Sequence, residues 1–459
     1  MSAVPAAGAA ARAAPSRPPR WYTAAWLTAL PLVVLYLLWR SLRQREYRRH
    51  WSERFLGHAA LPAALPQAAR GPRIWVHAVS VGETRAAQPL VEQLAGAHPE
   101  AGFVLTHMTP TGRAAGLDIV RALPGRVEQR YLPYDLPFAV ARFLREVRPD
   151  GGVLMETEIW PNLLHAAHAR GIPVVLANAR LSRRSLAKAL RQRSLMRGAA
   201  AAITLVGAQS AADSARIAQL YDGPIHVTGN GKFDIAPDAA QLAQGVQLRA
   251  RLRAALGERP LWLFASTREG EERLILDALR ARPAAAAPLL LFVPRHPQRF
   301  DEVAGLLAER GATVLRRAAW DGIAAGAAAG ALLLGDSMGE MALYYAMADV
   351  AFIGGSLLPL GGQNLIEACA CGCPVVLGPH MFNFAAAADD AVAAGAARRV
   401  GDAAEALRTM AAICTDARVQ ADMAAAARAF AAAHRGATAK TVALIEQALG
   451  LAGPPAPAA

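Results

Sequence analysis

The chain reads Gly335-Asp336-Ser337-Met338-Gly339-Glu340-Met341, then Val350-Ala351-Phe352-Ile353-Gly354-Gly355-Ser356, then Gly361-Gly362-Gln363-Asn364-Leu365-Ile366-Glu367. The middle run starts with four apolar residues, as expected for a parallel strand that is covered on both faces. The glycines after it let a ligand approach the backbone closely. Each flanking run opens a helix, whose free N–H groups attract anions. Residues 335–384 therefore predict a cradle for the phosphate and ribose of a nucleotide.

Glu367 lies one turn into the second of these helices. At that position a carboxylate can accept hydrogen bonds from both ribose hydroxyls of a bound nucleotide. The alternative is structural, because Asn364 and Glu367 have the spacing of a capping box. The residues alone leave both interpretations open.

Length and composition favour a two-domain α/β protein. The chain has 459 residues, too many for one ordinary core, and its hydrophobic content of 54% with 6% aromatic residues reflects heavy use of alanine. The net charge is +13, and the 49 basic residues include three lysines, Lys188, Lys232 and Lys440. Such a surface suits anionic lipid or sugar phosphate. Basic and aromatic residues do not interleave as in nucleic-acid motifs, so no nucleic-acid partner is predicted.

The cysteines do not predict a metal site. Cys369, Cys371 and Cys373 are spaced by two along a helix end, which points them in different directions, so we expect small buried side chains in a reducing compartment. The chain also lacks a Walker lysine loop and the Gly-x-Gly-x-x-Gly of dehydrogenases. Nucleotide hydrolysis and hydride transfer are therefore disfavoured, and no metal or cofactor is predicted.

The N-terminal region predicts a membrane anchor. Residues 1–20 are rich in Ala, Pro and Arg and are expected to be disordered, whereas 22–39 form an eighteen-residue run without a charge. As a helix this run is about 27 Å long, enough to span a hydrocarbon core. Residues 21–40 are therefore assigned as a transmembrane helix, with interfacial aromatics at Trp21, Trp26, Tyr36 and Trp39.

Residues 41–72 form a basic juxtamembrane segment and a linker. The arginines that follow the apolar run predict a single-pass membrane protein with the bulk of the chain on the cytoplasmic side. A cleaved signal peptide is the rival interpretation, but the run lacks a small-residue cleavage site. Residues 40–54 alternatively form an amphipathic helix on the surface of anionic lipid.

The remainder alternates strands with helices, the pattern of doubly wound parallel sheets. We assign 73–235 to an N-terminal Rossmann-like domain and 236–452 to a C-terminal one, with a disordered tail at 453–459. Alanine-rich helices are expected from about 402 onward. Two such domains in series predict a cleft between the carboxyl ends of their strands. The expected strands lie near 74–78, 103–107, 152–155, 173–177, 202–206, 225–228, 261–265, 289–293, 331–334, 350–353 and 374–377.

Several charged residues follow the predicted strands of the first domain. Glu83 comes after a strand and the turn Ser80-Val81-Gly82, where it serves either as a general base or as a complement to the helix dipole. Glu156 and Glu158 end a buried strand, and such a pair is costly unless it binds something. A helix start explains Glu158 but not Glu156. Lys232, near the domain boundary, suits a carboxylate or a phosphate.

In the second domain, Pro294 and Pro297 flank Arg295 and His296. The prolines fix the backbone, so this segment offers a rigid edge to a nucleobase or phosphate. His380 is compatible with packing or with ligand contact.

Together these motifs resemble the 3-deoxy-D-manno-octulosonic acid (Kdo) transferases of lipopolysaccharide synthesis, and the resemblance runs from the apolar N-terminal run to about residue 385. It rests on motifs that occur in the same order: Ser80-Val81-Gly82-Glu83, Met108-Thr109-Pro110-Thr111-Gly112, Tyr131-Leu132-Pro133-Tyr134-Asp135, Met155-Glu156-Thr157-Glu158-Ile159-Trp160-Pro161-Asn162, Asn178-Ala179-Arg180-Leu181-Ser182, Lys232-Phe233-Asp234, Pro294-Arg295-His296-Pro297 and Gly378-Pro379-His380.

The resemblance implies a GT-B glycosyltransferase that is inverting and metal-independent. It also implies a single-pass anchor in the cell inner membrane, with the catalytic domains on the cytoplasmic side. It implies CMP-Kdo as donor, bound by the C-terminal domain, and the lipid A precursor lipid IVA as acceptor, bound by the N-terminal domain. Glu83 is implied as the general base, and Glu156 and Lys232 as groups that stabilise the transition state. The implied CMP-binding residues are Pro294, Arg295, Gly339, Glu340, Met341, Asn364, Leu365, Ile366 and Glu367.

Two positions depart from the family pattern. Gly231 stands where a larger apolar residue usually precedes the lysine, and Arg268 replaces the usual histidine in the run from Ser266 to Glu272. The rival functions are a GT-B transferase for another nucleotide sugar, which would bind UDP rather than CMP, and a catalytically silent membrane scaffold. The presence of Glu83, Glu156 and Lys232 counts against the scaffold.

Overall fold

The computed structural model describes residues 15–59, 71–234, 237–280, 287–309, 311–322 and 331–451, without the side chains of Lys232 and Asp321. The expectations for residues 1–14 and 60–70 and for the C-terminal tail lie outside the described residues. The described chain divides into two compact units. The first contains the residues up to Asp234 and those from Gly436 onward, and the second contains the residues up to Arg435.

The first unit is built on a parallel sheet of seven strands within the described residues, in the order β3-β2-β1-β4-β5-β6-β7. The register of the central strands pairs His77 of β1 with Thr106 of β2 on one side and with Leu154 of β4 on the other. All carboxyl ends therefore lie at the same edge. The strands are β1 (Arg73–His77), β2 (Gly102–His107), β3 (Val127–Tyr131), β4 (Gly151–Met155), β5 (Val174–Ala179), β6 (Leu205–Ala208) and β7 (Ile225–Val227).

Helices connect these strands and cover both faces of the sheet, and two separate hydrophobic clusters lie on its two sides. Trp75 and Phe143 are buried in one cluster, and Ile74 and Phe103 in the other. The helices are α1 (Arg20–Arg43), α2 (Trp51–Leu56), α3 (Val81–Ala97), α4 (Pro110–Ala115), α5 (Leu117–Ala122), α6 (Pro137–Val147), α7 (Pro161–His168), α8 (Arg183–Arg191), α9 (Arg193–Ala200) and α10 (Ala211–Ile217).

The second unit repeats this design, with seven described parallel strands in the order β10-β11-β9-β8-β12-β13-β14. Its central strands are buried along their apolar runs. The strands are β8 (Leu261–Thr267), β9 (Leu289–Pro294), β10 (Val314–Arg316), β11 (Leu332–Leu334), β12 (Val350–Ile353), β13 (Val375–Leu377) and β14 (Ala397–Arg399). The helices are α11 (Ala239–Leu256), α12 (Glu271–Arg280), α13 (Phe300–Ala308), α14 (Met341–Met347), α15 (Ile366–Ala370), α16 (Ala385–Ala393), α17 (Ala403–Thr415) and α18 (Ala417–Ala433).

The sequence did not predict three strands, β3, β10 and β14, and each of them is an edge strand of its sheet. Edge strands have a neighbour on one side only and tolerate charged residues, so they lack the continuous apolar run that marks a central strand. β3 reads Val-Glu-Gln-Arg-Tyr, and β14 reads Ala-Arg-Arg.

The last helix, α19 (Ala437–Leu449), belongs to the first unit. Val442 and Ile445 are buried in the same cluster as Ile74 and Val76 of β1, and Asp234 accepts hydrogen bonds from the backbone N–H groups of Gly436 and Thr438. The structure therefore differs from the sequence assignment, which placed all of 236–452 in the second domain. Alanine-rich helices carry no pattern that identifies the sheet they cover.

α1 has the length and apolar composition to cross a membrane, and 6% of its most apolar eighteen-residue window is buried. The basic segment after it does not form the continuous amphipathic helix proposed for residues 40–54. Instead α1 continues to Arg43, a 3-10 turn spans Arg45–Arg48, and α2 follows. Arg54 of α2 is 1% exposed, donates to the Met108 carbonyl oxygen and stacks on the ring of Tyr131. α2 is thus part of the folded unit, because its polar residues are bonded inside it.

Gly57, which ends α2, tests this arrangement. It has a φ of 64°, and a methyl group added there would overlap the carbonyl oxygen of Ala139 in α6. We expect Gly57→Ala to lower the free energy of unfolding by roughly 2 kcal/mol or more, since it combines left-handed strain with a backbone clash. The control is Gly96→Ala in α3, where a methyl group meets nothing within 4 Å. Denaturant unfolding that shows equal stability for the two variants would contradict the docking of α2.

Candidate active site

Glu83 lies in the first turn of α3, directly after the carboxyl end of β1. Ser80 caps the helix by accepting the Glu83 N–H, and the Glu83 carboxylate accepts hydrogen bonds from the Val79 N–H and the Ser80 hydroxyl. This reciprocal pattern resembles a capping box, with the Val79 N–H in place of the N–H of the cap residue Ser80, so Glu83 does help to hold the helix start. Each carboxylate oxygen takes one of these bonds and has further lone pairs.

The electrostatics of Glu83 are not those of an ordinary helix cap. Burial raises the pKa of its carboxyl to about 7, the Val79 hydrogen bond opposes this rise, and the negative charges of Glu156 and Glu158 add to it. A carboxyl with a pKa near 7 is present in both protonation states at neutral pH. It can therefore accept a proton and later release it.

Glu156 follows β4, which is the neighbour of β1 in the sheet. Its backbone has a φ of 59°, and its N–H donates to the carbonyl oxygen of Ala177 in β5. A left-handed conformation is uncommon for a residue other than glycine and costs about 1 kcal/mol or more. Such strain is frequent at functional sites, so the conformation of Glu156 favours a functional role for this residue.

Glu158, two residues further on, accepts a hydrogen bond of 2.8 Å from the Trp160 indole. Burial raises its pKa, the Trp160 bond opposes this, and the charge of Glu156 adds to the rise. The start of α7 is held by Asp135 instead, whose carboxylate accepts the N–H groups of Asn162 and Leu163 at 2.9 and 2.8 Å. Glu158 therefore does not cap this helix, contrary to its simplest interpretation.

Lys232 lies in a 3-10 turn, Gly231–Asp234, that follows β7. Its side chain is outside the described residues, but the turn that carries it is fixed by Asn178, whose side-chain oxygen accepts the Gly231 N–H at 3.2 Å. Asn178 lies near the carboxyl end of β5, is 5% exposed and has a φ of 51°. The carboxyl end of β5 thus links the Glu156 loop to the Lys232 turn. The sequence did not predict this linking role for β5.

The structure also answers the question raised by Gly231. A methyl group at that position would find Thr438 and Ala86 atoms no closer than 3.8 Å. The site therefore has room for a Cβ atom, so crowding at that atom does not require glycine.

In the second unit, a buried carboxylate organises the glycine loop after β12. Glu271, at the start of α12, is 0% exposed. Among the described residues it accepts four backbone N–H groups at 2.5 to 3.0 Å, from Arg268, Gly355, Ser356 and Leu357. Burial still raises its pKa. Sequence reasoning missed this role, since the loop is more than eighty residues away along the chain.

The nine predicted CMP-binding residues come from the ends of β9, β11 and β12, and all lie at the carboxyl edge of the second sheet. Pro294 ends β9, and the Arg295 guanidinium donates to the Gln363 side-chain oxygen at 3.1 Å. Gln363 directly precedes Asn364, so this bond brings the 294–295 segment to the 364–367 segment. The structure therefore assembles two of the three predicted segments through one contact.

The third segment, residues 339–341, opens α14. Glu340 forms a bidentate ion pair with Arg317 at 3.0 and 3.1 Å and accepts a hydrogen bond from the Ser337 hydroxyl. Burial raises the pKa of Glu340, but the bonds from Ser337 and Arg317 outweigh it, so the pKa is lowered. The Glu340 carboxylate is therefore engaged with the protein, and the Gly339 carbonyl oxygen accepts a hydrogen bond from the Gln241 side chain at 2.9 Å. Gly339 is exposed and has a φ of 81°.

Asn364 has a structural role, since its side-chain oxygen accepts the Ile366 N–H at 3.0 Å at the start of α15. Leu365 and Ile366 are buried, and Glu367 lies in the first turn of that helix, where its charge acts on Tyr345 and Cys371. This Asn364 bond goes to the Ile366 N–H rather than to the Glu367 N–H of a capping box, and the role of Glu367 stays a prediction.

Cys369 and Cys373 are buried and Cys371 is partly buried. Burial raises the pKa of the Cys369 thiol to about 12. In the described part of the chain, no three His, Cys, Asp or Glu side chains are grouped as metal ligands.

Comparison with known proteins identifies the family. Residues 49–235 match the family model "3-Deoxy-D-manno-octulosonic-acid transferase (kdotransferase)". The chain is 47% identical over 440 residues, 94% of its length, to the 3-deoxy-D-manno-octulosonic acid transferase of Bordetella pertussis, of which it covers 99%.

The chain belongs to the Kdo transferase family.

A second relative supports this. The Kdo transferase of Haemophilus influenzae is 39% identical over 370 residues, 79% of this chain and 83% of the relative. The chain is therefore a glycosyltransferase, as the sequence motifs predicted.

The fold agrees with that of solved glycosyltransferase structures. A glycosyltransferase from Rickettsia africae has a TM-score of 0.55 at 12% identity, over 83% of this chain and 100% of that one. A UDP-GlcNAc 2-epimerase from Neisseria meningitidis has a TM-score of 0.52 at 13% identity, with the same coverage. The GT-B class with two Rossmann-like domains is thereby confirmed, while the fold alone does not distinguish transferase from epimerase.

The raised pKa of Glu83 makes stability depend on pH. In the unfolded chain the carboxyl ionises near 4.5, whereas in the folded Kdo transferase it ionises near 7. The contribution of Glu83 to the free energy of unfolding is therefore fully present below pH 4.5, and it is lost as pH rises to about 7.

We expect Glu83→Gln to gain stability relative to wild type as pH rises from 4.5 to 7, by an amount on the order of 1 kcal/mol after allowance for solvent screening. Thermal unfolding across this pH range measures the difference. Glu92→Gln, an exposed position of the same helix, is the control and should show no such trend. If the stability difference between Glu83→Gln and wild type did not change with pH, the pKa of the Glu83 carboxyl would be the same in the folded and unfolded chain.

Proposed function

We propose that this Kdo transferase moves Kdo from CMP-Kdo to the lipid A precursor lipid IVA, with inversion at the anomeric carbon and with Glu83 as general base. The observation that carries this proposal is the Glu83 carboxyl, with its pKa raised to about 7, at the carboxyl edge of the first sheet beside Glu156 and Glu158. The named relatives, which are Kdo transferases, support the choice of sugar.

In the proposed reaction, an acceptor hydroxyl oxygen attacks the anomeric carbon of Kdo while Glu83 takes the hydroxyl proton. The bond between the anomeric carbon and the phosphate oxygen breaks, and its electron pair leaves with CMP. Direct attack from the face opposite the leaving group inverts the configuration. Glu83 then returns its proton to solvent, which a group with a pKa near 7 does readily.

Glu156 and Lys232 are proposed to stabilise the transition state. Positive charge develops on the sugar ring as the phosphate leaves, and the Glu156 carboxylate is suited to oppose it. Lys232 is suited to the Kdo carboxylate or to the departing phosphate. The strained backbone of Glu156 and the Asn178 bond to the Lys232 turn support these roles, because both hold the loops in defined positions.

The second unit is proposed to bind CMP through Pro294 and Arg295, the backbone of Gly339, Glu340 and Met341, and residues Asn364, Leu365, Ile366 and Glu367. The Arg295 guanidinium supplies a cation for the phosphate, so this site has no need of a divalent metal. Glu367 is proposed to accept the ribose hydroxyls.

We also propose that the enzyme works on the cytoplasmic side of the inner membrane. The apolar α1 and the arginines on both sides of it support association with anionic lipid, which is where a lipid acceptor is found.

Glu83→Gln tests the base. We expect it to lower kcat at least about a hundredfold and to leave CMP affinity unchanged, because an uncharged amide cannot take the proton. The assay uses purified enzyme in detergent, lipid IVA and CMP-Kdo generated in place, with the products read by mass spectrometry. Glu92→Gln is the matched control and should retain full activity. Equal losses of rate and affinity in Glu83→Gln would indicate a purely structural helix start.

The nucleotide site is tested by a matched pair. Glu367→Ala should lose CMP affinity with little change in stability, whereas Asn364→Ala should lose affinity and also lower stability by about 1 kcal/mol, because it removes the hydrogen bond to the Ile366 N–H at the start of α15. Calorimetric titration with CMP and with UDP, together with thermal unfolding, measures both. Unchanged CMP affinity in Glu367→Ala would refute the proposed ribose-binding role of Glu367. Tighter binding of UDP than of CMP would refute CMP-Kdo as the donor.

A further inference from the structure

The start of α1 is bonded to the first unit. Before the helix, the Ser16 N–H donates to the carbonyl oxygen of Gly198 in α9 at 3.4 Å. In the first turn, the Tyr22 hydroxyl donates at 2.9 Å to Asp135, a carboxylate that is 0% exposed. A buried carboxylate that accepts this bond fixes the amino-terminal end of α1 against the body of the unit.

The rest of the helix lies along the same unit. The Trp26 ring stacks on Trp160 with their centroids 6.3 Å apart and an interplanar angle of 17°. Further along, Leu37 is 2% exposed in a cluster with Tyr47 and Tyr134, and Arg40 donates to the Tyr47 hydroxyl. The contacting residues at 22, 26, 33, 37 and 41 follow the helical period, so one complete face of α1 is packed on the protein.

The opposite face is apolar and uncovered. Its large side chains are 46 to 75% exposed. A contiguous apolar surface of this kind needs an apolar partner. The exposed residues of α1 are Trp21, Leu27, Leu32, Leu35, Tyr36, Leu38, Trp39 and Leu42.

Arginines without carboxylate partners border this face. Arg17, Arg20 and Arg170 line a cavity of about 510 Å³ with His165 at the start of α1, and none of the three forms an ion pair with another described residue. At the other end, Arg43 stacks on Trp39. Positive charge therefore borders the apolar face at both ends, which suits anionic lipid headgroups rather than a second copy of this basic chain.

Geometry decides how the helix meets the lipid. α1 has 24 residues and is about 36 Å long, so a perpendicular helix would place its ends on opposite sides of a hydrocarbon core of about 30 Å. Yet both ends contact the same unit, because Tyr22 at the start bonds Asp135 and Leu37 near the end is buried in a cluster with Tyr134. The buried polar groups of that unit cannot enter the hydrocarbon region.

We propose that α1 lies in the plane of the membrane, with its exposed apolar face inserted into one leaflet that carries anionic headgroups, and that it does not span the bilayer. This replaces the single-pass arrangement predicted from the sequence. It rests on the proposed membrane association but not on Kdo transfer. A consequence is that Trp160, which bonds Glu158, is held by Trp26 at the lipid surface, so the helix orients the acceptor side of the enzyme.

The depth of Leu32 in the bilayer tests the proposal. Leu32 is in the middle of α1 and 69% exposed. A nitroxide label on Leu32→Cys is measured by power-saturation spectroscopy, with the full-length enzyme in vesicles of phosphatidylethanolamine and phosphatidylglycerol. An in-plane helix places the label roughly 5–10 Å below the headgroups. A spanning helix places it near the centre, about 15 Å deep. The unsubstituted chain measures the labelling of native thiols, and exposed Gln219→Cys is the aqueous reference.

A shallow label supports the proposal, whereas a label at the centre or in water overturns it. A second measurement, labelling with a membrane-impermeant maleimide in spheroplasts, compares Ser2→Cys with Gln219→Cys. If the helix lies in the plane of the membrane, both cysteines are on the same side and should be labelled to the same extent. If the helix spans the membrane, they are on opposite sides and one should be labelled while the other is protected. Transfer activity is measured separately on the same variants. Loss of Kdo transfer with a shallow label would count against the proposed reaction and not against the helix orientation.

Discussion

Backbone N–H groups at the carboxyl ends of the two parallel sheets must be hydrogen-bonded, and buried carboxylates bond many of them. Glu271 accepts four such groups within the described residues and thereby shapes the glycine loop after β12. Asp135 accepts two at the start of α7 and also the Tyr22 hydroxyl. The loops that carry the candidate site depend on these bonds, because an unpaired buried N–H is costly.

Glu83 also follows the carboxyl end of a strand and accepts a backbone N–H, but its surroundings differ from those of Asp135. Burial raises the pKa of Asp135 to about 6 and that of Glu83 to about 7, so a raised pKa does not by itself identify the base. Asp135 is fully buried and its oxygens are engaged with the protein, whereas Glu83 is partly exposed and accepts one backbone N–H and one hydroxyl among the described residues. Spare lone pairs, access to solvent and two neighbouring carboxylates together set Glu83 apart.

The sequence predicted the parts of the fold that have a local pattern. Central strands, the loops after them and the family motifs were found because apolar runs and glycine turns are local signals. The edge strands β3, β10 and β14 and the placement of α19 were missed, since they depend on distant partners. The same reason explains why Glu271, Asn178 and the burial of Arg54 were not foreseen. The residues that could be named from motifs lie at the two sheet edges, but the residues that hold them there could be found only from the structure.

The central claim is that burial and the neighbouring carboxylates bring the Glu83 carboxyl into the range where it works as a base at neutral pH. The pH dependence of kcat/KM for Kdo transfer tests it most directly, because this quantity reports groups of the free enzyme. The account predicts a rise with pH whose midpoint is near 7, and a lower midpoint in Glu158→Gln, which removes one of the negative charges. A midpoint near 4.5, or one that Glu158→Gln leaves unchanged, would contradict it.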